Sequence, residues 1–290
     1  MKKLLAIAFL FGALTVNAQE KKEKQPKDGW KRSGNISFLF NQSAFNNWLA
    51  GGQNNISGTL GLNYDFNYIK NDWTWDNKII ASYGLTKLKK EDIQKTDDRF
   101  ELNSLLGKKA SGYWYYSAFL NFKTQISSTD VNGVQQSHFF SPAYFQFGPG
   151  MLWKKSDNLK INFAPATSKL IMVDNDFTNV PSADANAFNA AGGYFGVQAN
   201  ETTRYELGAA ISGYYKLDVM KNVSVENILN LYSNYLEEAK NVDIDYTVNV
   251  VMKVNKYLSA NLSMQAIYDD NAYEGFQTRE VFGLGVNYGF

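Results

Sequence analysis

The 290 residues contain one histidine, His138, so any imidazole-dependent acyl chemistry has to run through it. Its neighbour Ser137 would point to the opposite face of a strand, because successive side chains alternate. Ser141 is a second hydroxyl close by in sequence, with no nucleophile elbow or orienting partner around it. No catalytic residue is assigned, and His138 reads as a loop residue. Val173, Asp174, Asn175 and Asp176 bring closely spaced oxygen ligands that Ca²⁺ accepts. The rest of a calcium-loop pattern is missing, so ordinary turn chemistry explains them better and no metal or cofactor is assigned. There is no cysteine, which excludes a disulfide framework, a thiolate metal site and a lipoprotein anchor.

A second group of residues is charged and recurs at every other position of alternating segments. Asp76, Lys78, Arg99, Glu101, Lys123, Arg204 and Glu206 are its leading members, with Asp65, Glu226, Asp243, Asp245, Lys253, Asp269 and Arg279 behind them. Both signs are mixed. Such a set lines either a polar pathway or binding site for a small solute, or an ion-pair network that fills a narrow barrel; the second is favoured, since small barrels are filled by side chains.

The elements that carry these residues are strands. From Val242, the residues Ile244, Tyr246, Val248, Val250, Met252 and Val254 are apolar or aromatic, while Asp243, Asp245, Thr247, Asn249 and Lys253 fall between them. The period is two, so one face is greasy and the other wet. Strands are expected near 33–42, 54–69, 72–86, 96–109, 112–127, 138–154, 158–168, 202–217, 221–236, 240–254, 257–270 and 276–290, about twelve, an even number as in bacterial barrels. Their length suits a tilted membrane crossing better than a soluble sandwich. Short turns near 70–71, 110–111, 155–156, 218–220 and 255–256 alternate with connections near 43–53, 87–95, 128–137, 169–201, 237–239 and 271–275, most of them longer. That alternation puts both termini on the periplasmic side of an all-β, closed antiparallel transmembrane barrel. Only 237–239 is out of step.

Residues 1–18 read as a secretory signal: Lys2 and Lys3, an apolar run from Leu4, and a small-residue site ending at Ala18. Residues 19–32 form a polar periplasmic segment, and 33–290 the barrel. Aromatics gather toward strand ends, at Trp73, Trp75, Trp114, Tyr116, Trp153, Tyr257 and Tyr288, where a membrane interface holds amphipathic rings. Phe282, Leu284, Val286, Tyr288 and Phe290 alternate to the last residue and resemble the C-terminal signal that delivers outer-membrane proteins to the barrel-assembly machinery. Asn47, Trp48, Gly51 and Gly52 sit in a connection too apolar for an ordinary exposed loop. They form either a plug in the barrel mouth or an extension of the first strand. The 29 Lys and Arg balance 28 Asp and Glu, which argues against a nucleic-acid partner and leaves outer-membrane lipid and the assembly machinery as expected partners.

Several short runs occur in a specific order: Asn47 to Gly52, Trp73 to Asn77, Tyr83-Gly84, Lys95 to Arg99, Trp114 to Ala118, Thr124-Gln125 and Ser141-Pro142. Together they resemble an uncharacterised family of Bacteroidota outer-membrane proteins, a domain of unknown function, across nearly the whole chain after the signal. The resemblance implies an outer-membrane barrel and brings no reaction, ligand or catalytic residue. Lys95 to Arg99 is then either a structural clamp or part of a mouth site. The leading functional expectation is a non-enzymatic, narrow pore or binding and transport protein for a small solute. A structural or assembly component of an outer-membrane complex is the second reading, and a lipid-modifying barrel enzyme using His138 the third.

Overall fold

A computed structural model describes residues 28–44, 54–131, 133–237, 239–255, 257–269 and 273–289. The signal segment 1–18, the proposed plug residues Asn47, Trp48, Gly51 and Gly52, and Phe290 lie outside the described residues. The strands are β1 (Gly29–Ser43), β2 (Asn55–Lys70), β3 (Trp73–Leu88), β4 (Ile93–Ser111), β5 (Trp114–Thr124), β6 (Thr129–Val131), β7 (Val134–Ser137), β8 (Ala143–Ser156), β9 (Leu159–Met172), β10 (Thr203–Met220), β11 (Val223–Asn234), β12 (Asp243–Lys253), β13 (Leu258–Asp269) and β14 (Tyr273–Gly289). All but β6 and β7 join in one closed antiparallel barrel of 12 strands, in the ring order β1-β2-β3-β4-β5-β8-β9-β10-β11-β12-β13-β14. Closure satisfies the edge hydrogen bonds that an open sheet would leave exposed.

Each strand is paired with its neighbours in sequence, except where the β6–β7 hairpin interrupts β5 and β8. The ring closes where Asn35 to Phe40 of β1 lie against Leu284 to Gly289 of β14. This seam is short: on its other side β1 runs beside β2 for its whole length, from Gly29 opposite Ile69 to Ser43 opposite Asn55.

The connections at the two ends differ. One end carries 71–72, 112–113, 157–158, 221–222 and 254–257, together with the start of β1 and the end of β14. Two-residue turns require positive φ, which Asn71 (52°) and Asn222 (69°) supply. The other end carries 44–54, 89–92, 125–142, 173–202, 235–242 and 270–272. The contrast in length rests mainly on 125–142 and 173–202.

Several boundaries depart from the expected strands, and β9 runs on to Met172, four residues into the connection expected at 169–201. β1 begins at Gly29, so Gly29 to Arg32 leave the 19–32 segment and join the sheet. Trp30 is the reason: its ring packs on Tyr68 (5.1 Å), Trp75 (5.9 Å) and Phe66 (6.3 Å) on the outer wall. The strands expected over 112–127 and 138–154 stop at Thr124 and start at Ala143, because the Asp98 carboxylate accepts the N–H groups of Ile126 (2.6 Å) and Ser127 (3.1 Å) and draws the chain out of the ladder. The connection expected at 237–239 runs from 235 to 242, so it is no longer out of step, whereas 89–92 and 270–272 are no longer than 254–257 at the other end.

Two irregularities matter for the interior. The β8–β9 register shifts between Phe147 and Met151, and the β9–β10 register between Gly208 and Ala210. They mark a bulge in β9 around Pro165, whose ring lacks the N–H a ladder needs. Thr167 Oγ1 donates to Ala164 O (2.9 Å) and Tyr235 Oη to Pro165 O (2.9 Å), so the bulged carbonyls are capped. The bulge reverses which residues of β9 face inward: Lys160 and Asn162 before it, Lys169 and Ile171 after it.

Candidate functional site

The barrel is apolar outside and charged inside. Phe38, Leu60, Leu106, Phe147, Phe282 and Leu284 are all exposed on its outer wall, while Asp76, Glu101, Lys154, Lys169 and Glu206 are buried within. In water this distribution would be upside down; a hydrocarbon solvent around the wall makes it the stable one. No helix among the described residues is long and apolar enough to cross a membrane. Trp30, Trp73, Trp75, Trp114, Tyr116, Tyr257 and Tyr288 are exposed at the tight-turn end of their strands and form a girdle there.

Inside, ion pairs cross the bore. Near the tight turns Lys31 Nζ meets Asp157 Oδ2 at 3.0 Å, and Lys154 reaches the same carboxylate at 3.1 Å. Burial works against ionisation of Asp157, but these two ammonium groups outweigh it and hold its carboxyl below the usual carboxylate range. Asp76, 5% exposed, takes Lys154 at 2.9 Å and Lys160 at 2.7 Å. One level on, Lys78 Nζ donates to Glu226 Oε1 at 3.0 Å and lies 3.6 Å from Asp65. β3 and β11 stand six places apart in the ring of twelve, so this bond spans the lumen. Lys123 of β5 reaches Asp245 of β12 at 2.8 Å in the same way. Towards the mouth Arg279 grips Asp97 through two nitrogens, at 2.6 and 3.2 Å. Between these bridges lies a cavity of about 240 Å³ lined by charged, amide and a few apolar side chains.

The seven leading charged residues singled out from sequence each make a definite contact inside the barrel, whereas Lys253 is exposed at the end of β12. Asp76, Lys78 and Lys123 belong to the bridges just described. Arg99 bonds the Glu101 carboxylate on its own strand, and Glu101 also accepts from Asn103 (2.8 Å) and Asn121 (3.0 Å). Arg204 holds Glu206 at 3.0 Å and Glu237 at 2.5 Å, while Lys169 faces Glu206 at 3.2 Å. Sequence reasoning missed Lys31, Asp97, Lys154, Asp157, Lys160 and Lys169. Alternation would have put Lys160 on the wet face, but the bulge after Asn162 breaks the count that would connect it with Lys169. Tyr288 and Phe282 stand on the outer wall.

The mouth is built from backbone. The 173–202 connection carries a 3₁₀ turn at Asn175–Phe177 and a short helix α1 (Ala185–Ala190). It turns back so that Val197, 0% exposed, packs with Ile171 and Val173 under Tyr144 and Tyr194. Gly196 lies at φ +79°, where any side chain is strained, and a Cβ there would lie 2.4 Å from Arg204 Nη1, so the guanidinium would have to shift. Arg204 donates to Gly196 O at 3.3 Å, tying the connection to the rim. Lys95 and Asp98 tie down the other long connection. Asp98 binds Lys95 (2.5 Å) and the Ser127 hydroxyl (3.0 Å) besides the two N–H groups, and Lys95 reaches Ser128 O (3.0 Å). Of the two roles expected for Lys95 to Arg99, this geometry is that of a clamp.

His138 lies in that cluster, against the Phe177 ring (5.4 Å). Its Nδ1 contacts Phe139 O at 2.8 Å and its Nε2 stands 3.5 Å from Asp174 Oδ2. Ser141, 1% exposed, accepts the Asp174 N–H through Oγ at 2.9 Å. Serine, histidine and aspartate therefore gather, yet both imidazole nitrogens face other atoms and the hydroxyl is closed off from solvent. The Asp174 carboxylate accepts from Asp176 N (3.0 Å) and caps the 3₁₀ turn, the turn chemistry expected of Val173 to Asp176.

A family model described as a protein of unknown function, DUF3078, matches residues 40–129. The match is narrower than the sequence resemblance, but it includes Trp73 to Asn77, Lys95 to Arg99 and Trp114 to Ala118. No curated protein matches the chain. Among solved structures, the COG4313 outer membrane channel from Pseudomonas putida F1 is similar at 10% identity and a TM-score of 0.40, covering 94% of this chain and 99% of that one. The translocator domain of the autotransporter NalP from Neisseria meningitidis is similar at 9% identity and a TM-score of 0.36, over 100% and 98% of the two chains. The outer membrane channel DcaP of Acinetobacter baumannii follows at 10% identity and 0.34, over 90% and 97%.

Proposed function

We propose that this chain is an outer-membrane β-barrel that passes or binds a small polar solute through a narrow, ion-pair-crossed lumen. The tight turns and both termini face the periplasm, and the 125–142 and 173–202 connections face outward. Its surroundings are lipid, and the barrel-assembly machinery places it there. On this reading it is not an enzyme, and it takes no cofactor. The observation that carries the proposal is the lumen itself, where Lys78–Glu226 and Lys123–Asp245 join opposite walls. Wide aqueous channels need about 16 strands, and 12 leave a bore that two side chains can span.

Conductance of the purified barrel in planar bilayers tests it. The native chain should show small conductance, and the double substitution Lys78→Met with Glu226→Leu should raise it several-fold by removing one bridge; of the charges that face it only Asp65, 37% exposed in its side chain, loses a partner. A barrel that stays silent in both forms would sink the transport reading.

A further inference from the structure

The charges of the lumen are mostly matched among themselves, whereas its amides are not. Glu101 organises one group: Asn103 and Asn121 both donate to its Oε1, and Asn121 also donates to Asn103 Oδ1 at 2.6 Å. Both amide protons of Asn121 are then committed, and its own carbonyl oxygen is left over. Asn162 accepts from Ser117 Oγ at 2.6 Å and keeps its NH₂. Gln146 beside Asn121, and Ser212 between Asn162 and Asn230, have side chains with no hydrogen-bond partner among the described residues, and neither has that of Asn230. All six line the same cavity.

Resting on the reading of a solute pathway, we infer that this cavity is a binding site for a small neutral polyhydroxylated molecule, a single sugar ring. An amide or a hydroxyl both donates and accepts, and so does each hydroxyl of a sugar. An ionic solute would instead have to break a bridge such as Lys160–Asp76 or Lys78–Glu226, leaving a buried charge alone. Lys216 is the cation of the wall without an ion-pair partner within 4 Å among the described residues, and it sits opposite Glu226 in the β10–β11 ladder. Phe119 adds an apolar patch against which the C–H face of a ring packs. The volume of about 240 Å³ lies below the roughly 300 Å³ at which pockets for drug-sized ligands begin, which suits one ring and not a chain of them.

Isothermal titration of the purified full-length barrel in detergent, with D-glucose, glycine and inorganic phosphate as probes, tests the class of ligand. Glucose should bind, glycine and phosphate at least about tenfold more weakly, and Gln146→Leu or Asn230→Leu should each weaken glucose by about tenfold, the size of one lost hydrogen bond. Lys221→Ala, in the exposed turn between β10 and β11 and away from the cavity, should leave binding unchanged. Absence of glucose binding to the native chain overturns the inference, and so does phosphate binding as tight as glucose. Bilayer conductance on the same preparation separates the two readings. A conducting barrel that ignores glucose loses only the sugar site; a glucose-binding barrel that never conducts keeps the site and loses transport.

Discussion

The two ends of the lumen are built by different means. Near the tight turns, side chains from strands and turns distant in the ring meet in the bore: Lys31 with Asp157, Lys154 and Lys160 with Asp76, Lys78 with Glu226. At the other end it is chain that shapes the opening, with Val197 seated over Ile171 and Val173 and two connections pinned by Arg204 and by Lys95–Asp98. Side chains change rotamer in picoseconds to nanoseconds where they are free to do so, whereas a loop moves in nanoseconds to microseconds. The difference teaches that, if the proposed transport function holds, a solute would meet two barriers of unlike kind. The one at the long connections would be a matter of loop position, the one near the tight turns of exchanging partners within an ion-pair network.

Substitutions sharpen this contrast in a definite order. Asp76→Leu should have the largest effect, because it strands Lys154, 8% exposed, and Lys160 without their shared carboxylate. A loss of about 3–5 kcal/mol is expected for breaking a buried pair from one side, read as earlier unfolding of the detergent-solubilised barrel on heating. Unchanged heat stability would mean that the inner bridges do not hold the walls together.

At the mouth, Asp98→Ala should cost about 2 kcal/mol, since two N–H groups and Lys95 lose their acceptor together. The loss should be local. Limited proteolysis is expected to cut within 125–142 while the strands stay protected; a uniform drop in barrel stability would erase the distinction between the two ends.

Asp157→Asn should have the smallest effect, under about 1 kcal/mol at neutral pH, because Lys31 is 66% exposed and solvent screens that pair. Its pH dependence has a fixed sign. The folded carboxyl is held lower than the unfolded one, so its contribution is complete above the ordinary carboxylate range and fades as pH falls through the folded value. Native and variant denaturation curves should therefore converge in acid. A gap that widened in acid would contradict the assigned pairing.

Much of this was legible in the residues. The alternation through Ile244 to Val254 and Leu258 to Tyr268 locates β12 and β13 within about three residues, because a half-wet strand writes its period directly into the chain. Which charges face inward follows from the same period, as Asp76, Lys78 and Glu206 show. Which of them touch does not. Lys78 and Glu226 meet only because twelve strands close into a ring, and no local spacing encodes a contact across 148 positions. The hairpin of β6 and β7 and the seat of Val197 were hidden for another reason: both depend on side-chain anchors whose partners the sequence does not reveal, Asp98 in the run read as a clamp or a mouth site and Arg204 among the wet-face charges.

The seam between β1 and β14 has a mechanical consequence. Asn35 to Phe40 are matched by Leu284 to Gly289, the shortest run of pairing in the barrel wall among the described residues. A cylinder under lateral tension tears where the fewest rungs must break, and here that line joins the first strand to the last. The wall is therefore a sheet rolled up and fastened by a brief zipper, which can be done up last when the barrel forms and which gives first when it is pulled apart.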